Sequence, residues 1–112
     1  VPCCPKCGGP MKIHMVGPNF IPPAAEKERL DAFLKKYHGK NLVILELGIG
    51  WRNQLIKAPL MRLTAKEPNA AYITINLGEV YIAEDIKEKS FGVDGYLDEA
   101  LAALKKETES FC

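Results

Sequence analysis

The most constraining feature of the sequence is a short apolar run at residues 42–45, Leu-Val-Ile-Leu, followed closely by Gly48, Ile49 and Gly50. The run is too short for an isolated helix and rich in β-branched residues, so it predicts a strand buried on both faces, as in a parallel sheet. Two glycines after such a strand let the chain turn sharply and let backbone N–H groups approach a phosphate. Residues 48–50, the glycine loop, therefore predict a nucleotide site. A tight turn without a ligand is the alternative, because the third glycine of the dinucleotide fingerprint is missing.

The sequence predicts helices on both sides of this strand. A helix over residues 24–37 should stop at Gly39, because glycine is favoured just past a helix end. After the glycine loop, Asn53 is predicted to cap a second helix. Pro59 should kink that helix or divide it into two turns, because proline lacks the N–H that a helix interior requires.

Two further strands complete the predicted sheet. The first covers residues 71–76 and ends in Asn76; the second covers residues 90–93 and precedes Asp94, which is predicted to cap a final helix. Ligands of open α/β sheets bind outside the carboxyl ends of the strands, which places Asn76 on the same edge as the glycine loop. Its amide can exchange hydrogen bonds with ribose hydroxyls, although Asn is also common where a strand simply ends in a turn.

Composition limits the class of protein. The 112 residues suit one small domain, and 47% hydrophobic with 26% charged residues is typical of a globular chain. The formal net charge of +1 gives no argument for nucleic acid or a membrane as partner. Since no signal peptide is recognisable, the predicted location is the cytoplasm, where clustered cysteines more often bind metal than form disulfides.

The four cysteines are unevenly placed, with Cys4 and Cys7 forming a Cys-x-x-Cys pair before two glycines. This spacing is typical of a zinc-ribbon knuckle, because it directs both sulfurs at one tetrahedral metal. Cys3, His14 and Cys112 do not supply a second pair, so the remaining ligands would come from outside the chain. A redox dithiol and cysteines without a special role are the alternatives.

The order of these motifs resembles the C-terminal half of a sirtuin. The shared features are Cys-Pro-x-Cys-Gly-Gly, a strand ending in Gly-x-Gly, a strand ending in Ile-Asn, and a short strand before a terminal helix. Residues 45–50 are similar to the Glu-Leu-Gly-Val-Gly version of the macrodomain-linked bacterial class. The resemblance implies an α/β fold: half of a zinc ribbon over residues 1–18, then residues 19–112 as the C-terminal part of a Rossmann-like parallel sheet, with about three strands and flanking helices.

The resemblance also implies roles for individual residues. Cys4 and Cys7 would be two of four ligands of a structural Zn²⁺. The loop at residues 48–50 would contact the phosphate and ribose of NAD, Asn76 the adenine ribose, and the backbone of Val93 and Asp94 the adenine. The implied NAD contacts are Gly48, Ile49, Gly50, Asn53, Asn76, Val93 and Asp94.

The implied reaction is transfer of ADP-ribose from NAD, with release of nicotinamide, to a protein side chain or in the course of lysine deacylation. The macrodomain-linked class is associated with ADP-ribosylation of lipoyl-carrier proteins. The N-terminal half of the sirtuin fold has no counterpart in this sequence, so no catalytic residue is assigned. The chain by itself is expected to be an incomplete and inactive fragment.

Two other function classes remain open. A strand followed by Glu-Leu-Gly-x-Gly also looks like the first motif of a methyltransferase that binds S-adenosylmethionine. In such enzymes the next strand typically ends in an acidic residue, whereas here it ends in Asn76, with Glu79 three positions later. The third possibility is a zinc-ribbon module without enzymatic activity.

Overall fold

A computed structural model describes residues 1–12, 17 and 23–110 of the chain. The chain divides into two compact units, Val1–Phe33 and Leu34–Cys112. The first contains the cysteine knuckle and most of helix α1 (Ala24–Tyr37), and the second contains the sheet. His14 and Cys112 lie outside the described residues. Within the described part of the chain, no helix has the length and apolar character needed to cross a membrane.

The second unit is built on three parallel strands in the order β1–β2–β3. Their bounds are Leu42–Leu47 for β1, Ala70–Asn76 for β2 and Ser90–Asp94 for β3. Helix α2 (Gln54–Lys66) connects β1 to β2, a short 3₁₀ helix (Glu84–Lys89) precedes β3, and α3 (Leu97–Ser110) follows it. The prediction of an α/β fold with about three parallel strands and flanking helices is confirmed.

The prediction that the first strand is buried on both faces is wrong. Leu42, Ile44 and Glu46 are buried, but the alternate residues Val43 and Leu45 are 61% and 49% exposed. The two sets point to opposite faces because successive side chains of a strand alternate. On the buried face, α2 and the 3₁₀ helix contribute to the core, whose buried members are Leu42, Ile44, Met61, Ala70, Tyr72 and Ile86.

The other face of the sheet is only partly covered. Helix α3 and the sheet border an apolar groove of about 490 Å³. Its strand residues are Val43, Leu45, Ile73, Ile75, Phe91 and Val93, and its helix residues include Ala100, Ala103 and Leu104. Leu101 and Leu104 of α3 remain 40% and 51% exposed, so α3 covers this face of the sheet only in part.

Pro59 does not divide helix α2, which continues without a break from Gln54 to Lys66; a kink at Pro59, the other predicted outcome, stays a prediction. Proline removes one hydrogen bond of the helix and costs about 3 kcal/mol in a helix interior. The side chains of Lys57, Met61 and Thr64 are buried along one face of α2. Tertiary packing of such a face supplies most of the stability of a protein helix, which explains why α2 tolerates the proline.

Neither predicted helix cap forms through its side chain. Asn53 occupies the N-cap position of α2 without a capping side-chain bond, and its backbone carbonyl instead accepts hydrogen bonds from the N–H groups of Ile56 and Lys57, at 3.2 and 3.0 Å. Asp94 is the last residue of β3 and lies before the start of α3. Its Oδ1 accepts a hydrogen bond from the Gly78 N–H at 2.7 Å, so Asp94 fixes the loop after β2 and does not cap α3.

Hydrogen bonds to Glu67 connect segments at the amino end of the sheet. The Glu67 carboxylate lies 2.9 Å from His38 Nδ1 and accepts the Gly39 N–H at 3.1 Å. The Glu67 carbonyl accepts a bond from Lys89 Nζ at 2.9 Å. The bond with His38, followed by the bond from Gly39, lowers the pKa of the Glu67 carboxyl below its ordinary value.

We predict that Glu67→Gln reduces the acid sensitivity of the fold. Because the pKa of Glu67 is lower in the folded chain, its ionisation stabilises the fold above the unfolded-state pKa, and this contribution is lost as the pH falls through the folded-state pKa. Urea unfolding midpoints of the wild type and the variant should differ most near pH 7 and converge as the pH falls through the folded-state pKa of Glu67. The exposed Glu88, changed to Gln, is the control. A difference between wild type and Glu67→Gln that does not change with pH would contradict this explanation.

Candidate functional site

The carboxyl ends of the three strands bring the predicted site residues to one edge of the sheet. Leu47 pairs with Ile75, and Asn76 pairs with Asp94. Beyond the strand ends, the Gly48 N–H donates to the Ile75 carbonyl at 2.8 Å, which fixes the start of the glycine loop against β2. We call this edge, with the segments that leave it, the carboxyl edge.

The two glycines of the loop are needed for different reasons. Gly48 has a φ of +66°, a left-handed conformation that favours glycine, and a Cβ there would lie 3.3 Å from a methyl group of Leu97. Gly50 has no positive φ, but a Cβ on it would lie 2.5 Å from Glu79 Oε2. The Gly50 carbonyl then accepts the Asn53 N–H at 3.1 Å, which closes the turn before α2. The loop is therefore a tight turn whose backbone is approached closely by a carboxylate.

Glu79 is the main residue of this site that the sequence prediction did not place. Its Oε2 accepts a hydrogen bond from the Trp51 N–H at 3.2 Å. The Asn76 side-chain amide donates to the Glu79 backbone carbonyl at 3.2 Å, so Asn76 also helps to hold the Glu79 segment. The only sequence signal was an acidic residue three positions after a strand end. Contact between Glu79 and the loop depends on the fold of the whole 77–83 segment.

This arrangement suits a ligand that carries hydroxyl groups. The Glu79 carboxylate can accept hydrogen bonds from hydroxyls, and the Asn76 amide can both donate and accept. The backbone N–H of Trp51 already donates to an anionic oxygen. Two hydroxyls on neighbouring carbons, as in a ribose, present the matching donors and acceptors. The carboxyl edge can therefore recognise the sugar of a nucleotide.

The remaining predicted contacts lie on or beside the carboxyl edge. Ile49 is half-buried between the two glycines, and Asn53 begins α2. Val93 pairs with Ile75, and Asp94 holds Gly78 through its side chain. The structure thus brings these residues to one end of the sheet. That they contact a nucleotide stays a prediction.

An aromatic pair lies next to the glycine loop. The rings of Trp51 and Tyr81 meet edge to face, with centroids 4.1 Å apart and planes inclined by 64°. Both side chains are nearly half exposed and border a cavity of about 210 Å³. Gln54, Met61, Arg62 and Asp85 also line this cavity. The sequence prediction missed the pair because 30 residues separate its members.

A buried polar cluster lies on the helix-covered face behind the loop. Lys57 is fully buried, and its Nζ donates to Glu46 Oε1 and, at 3.4 Å, to the Tyr72 hydroxyl. The Thr74 hydroxyl donates to the same Glu46 oxygen at 2.8 Å. Burial, followed by the hydrogen bond with Glu46, raises the pKa of Tyr72 above its ordinary value. The sequence signal for this cluster was a glutamate inside an apolar strand.

The cysteine knuckle forms a compact turn within the first unit. The Gly8 N–H donates to the Cys4 carbonyl at 2.8 Å, and the Cys4 N–H donates to the Gly9 carbonyl at 2.8 Å. Hydrogen bonds from the backbone N–H groups of Cys7 and Lys6 lower the pKa of the Cys4 thiol. Across residues 1–12, 17 and 23–110, no three His, Cys, Asp or Glu side chains are grouped so that they could hold a metal ion. These residues therefore provide at most part of a metal site.

Comparison with known proteins supports a relationship to enzymes that transfer ADP-ribose. The chain is 35% identical, over 98 residues, to a protein from Staphylococcus aureus strain Mu50 named "Protein ADP-ribosyltransferase". The match covers 80% of this chain and 30% of the relative, so the chain spans less than a third of that protein. No protein-family model matches the chain.

We predict that Gly50→Ala acts on the carboxyl edge by displacing Glu79. The added methyl group would collide with the Glu79 carboxylate and break its bond to the Trp51 N–H, at a cost of about 0.5–1.5 kcal/mol of unfolding free energy. In a Glu79→Ala background the methyl group should fit, because the next neighbour, Asn76 Nδ2, would lie 3.8 Å away.

Urea unfolding of the two single variants and the double variant, followed by fluorescence of the single tryptophan, measures this coupling. Gly95→Ala is the matched control, since Gly95 has an ordinary φ and no heavy atom within 4 Å of an added Cβ. An equal cost of Gly50→Ala in both backgrounds would show that Glu79 is not the cause.

Proposed function

We propose that this chain is the NAD-binding C-terminal portion of a sirtuin-type enzyme that transfers ADP-ribose from NAD to a protein side chain. The main supporting observation is the approach of the glycine loop, Glu79 and Asn76 at the carboxyl edge. The name of the S. aureus relative supports the transfer of ADP-ribose to protein. NAD-dependent deacylation is the other reaction implied by the resemblance to sirtuins.

The residues of the carboxyl edge fit an ADP-ribose group. In the proposed complex, the backbone N–H groups of residues 49–51 face the phosphates, because the Gly48 N–H already donates to the Ile75 carbonyl. Asn76 binds the hydroxyls of the adenine ribose, and the backbone of Val93 and Asp94 borders the adenine. NAD itself supplies the transferable ADP-ribosyl group and the nicotinamide leaving group.

The chain's part in the reaction is to bind and orient one end of NAD. Because the chain spans 30% of its relative, we assign the nicotinamide pocket and the acid–base groups to the N-terminal half of the same fold. Holding one end of NAD in a fixed orientation can lower the activation barrier of the transfer only when the nicotinamide pocket and the acid–base groups are also in place. The proposed acceptor is a side chain of a cytoplasmic protein, with a lipoyl-carrier protein as the first candidate.

A specific observation keeps S-adenosylmethionine as the alternative cofactor. The Glu79 carboxylate reaches the glycine loop, where a methyltransferase would use an acidic residue to bind the ribose hydroxyls of its cofactor. The same carboxylate can accept hydrogen bonds from the ribose hydroxyls of NAD. Titration of the intact protein that contains this segment, with NAD and with S-adenosylmethionine separately, distinguishes the two proposals.

We predict that Asn76→Ala weakens NAD binding by about 1–3 kcal/mol, because the ribose hydroxyls lose a partner and the Glu79 segment loses a hydrogen bond. Isothermal titration of the intact protein with NAD measures the change. Asn69→Ala is the control, since Asn69 donates its side-chain bond to Gly39 at the opposite end of the sheet. Wild-type affinity in Asn76→Ala would remove Asn76 from the proposed site.

We also propose that Cys4 and Cys7 form half of a structural zinc site. The turn at Gly8, with its φ of +69°, and the N–H groups directed at the Cys4 sulfur fit a thiolate knuckle. Since no third His, Cys, Asp or Glu of the described residues completes a metal-binding group, the other two ligands are assigned to residues outside them. Zinc would then join the knuckle to the segment that carries the second pair.

We predict that the intact protein holds one zinc ion and that Cys4→Ser loses it or retains it more weakly. The reason is that removing one of the four thiolates from a structural site greatly lowers its affinity for zinc. Elemental analysis after dialysis against a chelator provides the measurement. Cys3→Ser is the matched control, since Cys3 is exposed and is not an assigned ligand. Wild-type protein without zinc would contradict the proposed half-site.

A further inference from the structure

We propose that the buried ion pair between Glu46 and Lys57 positions the glycine loop for its ligand. This proposal rests on the proposed nucleotide-binding role of the carboxyl edge. Glu46 lies in β1 just before the loop, and Lys57 lies in the first turn of α2 just after it. The pair thus joins the two ends of the segment that contains the loop, across 11 residues of sequence.

A continuous series of contacts connects the pair to the loop. Nζ of Lys57 donates to Glu46 Oε1, and the Lys57 backbone N–H donates to the Asn53 carbonyl at 3.0 Å. The Asn53 N–H in turn donates to the Gly50 carbonyl at 3.1 Å. Through these bonds, the position of Lys57 determines the positions of the first turn of α2 and of Gly50, the last residue of the loop. A shift of Lys57 would therefore move Gly50.

The ion pair is also connected to the neighbouring strand, β2. The Thr74 hydroxyl donates to the same oxygen of Glu46 at 2.8 Å, and Thr74 precedes Asn76 by two residues in β2. Helix α2 and strand β2 are thus both tied to one carboxylate oxygen of β1. Because Asn76 holds the Glu79 segment, the geometry of the whole edge depends on where Glu46 holds Lys57 and Thr74.

The energetics favour positioning over stability as the role of the pair. The side chains of Lys57 and Glu46 are 0% and 1% exposed, so both charges have lost their hydration. Oε2 of Glu46 is buried and accepts no hydrogen bond from the described protein atoms. A buried ion pair with incomplete hydrogen bonding is often replaced by apolar residues without loss of stability. A buried ion pair that forms in only one geometry can instead specify one arrangement of the elements that carry it, and this is the role proposed here.

Two variants test the proposal. The first, the apolar-cluster variant, combines Glu46→Leu, Lys57→Met, Tyr72→Phe and Thr74→Val, which removes every polar side-chain atom of the cluster at similar volume. The second is Glu46→Gln, which keeps an acceptor for Thr74 but removes the negative charge. Thr64→Val is the matched control, because Thr64 is fully buried in the same helix and its hydroxyl bonds only to the Leu60 carbonyl of α2.

Amide hydrogen exchange without ligand is the first measurement, read at Gly48, Trp51 and Asn53. Their N–H groups make the hydrogen bonds that define the loop. In the apolar-cluster variant we expect the urea unfolding midpoint to stay the same or rise, whereas these three amides should exchange about tenfold faster. Thr64→Val should leave exchange at the three amides unchanged.

Titration of the intact protein with NAD is the second measurement. We expect the apolar-cluster variant to bind NAD about tenfold more weakly than the wild type, because the loop must be ordered at the moment of binding. If the wild type itself does not bind NAD, the proposed function fails, and hydrogen exchange still decides whether the pair positions the loop.

If the apolar-cluster variant folds and its loop amides exchange as slowly as in the wild type, the proposal is overturned and the pair has only a structural role. If that variant does not fold, Glu46→Gln decides: faster exchange of the loop amides at an intact fold supports positioning, and unchanged exchange overturns it. The proposal would also be overturned if Thr64→Val increased the exchange rates of the loop amides as much as the apolar-cluster variant does.

Discussion

The parallel pairing of β1 with β2 is the constraint on which the rest of the site depends. Its register sets Leu47 opposite Ile75, and the hydrogen bond from Gly48 to Ile75 carries the pairing one residue beyond the strand. A parallel register brings the two carboxyl ends together, so the turn after β1 and the turn after β2 leave the sheet side by side. The contact of Glu79 with the glycine loop follows from this register and could not form if β1 shifted by one residue.

The covered face of the sheet buries Glu46, Lys57 and Thr74 next to the apolar core. The half-open face is lined by apolar side chains such as Val43 and Leu45. Burial of an ion pair has a large desolvation cost, and exposure of apolar surface has a further cost in water. The desolvation cost of the ion pair is therefore consistent with the positioning role proposed for it.

Sequence patterns predicted the features that depend on local chemistry and strand order. The apolar runs located the strands, and the rule for parallel sheets placed Asn76 and the glycine loop on one edge. Cap positions could not be predicted, because Asp94 can cap a helix or accept the Gly78 N–H, and only the fold decides between them. The same holds for Glu79, Tyr81 and Lys57, whose partners lie 11 to 30 residues away. Such contacts depend on tertiary structure, which periodicity does not encode.

The position of Glu79 has a further consequence for how the carboxyl edge would receive a nucleotide. Its carboxylate accepts the Trp51 N–H, one of the donors that a phosphate would use. Two anionic groups at one N–H repel each other, so in the proposed complex the Glu79 side chain turns away from the loop. The bond is exposed, and breaking it costs about 0.5–1.5 kcal/mol, an amount that binding of a nucleotide can offset. The Asn76 amide holds the backbone of Glu79 and not its carboxylate, which leaves the side chain free to rotate toward the ribose hydroxyls while the segment stays in place.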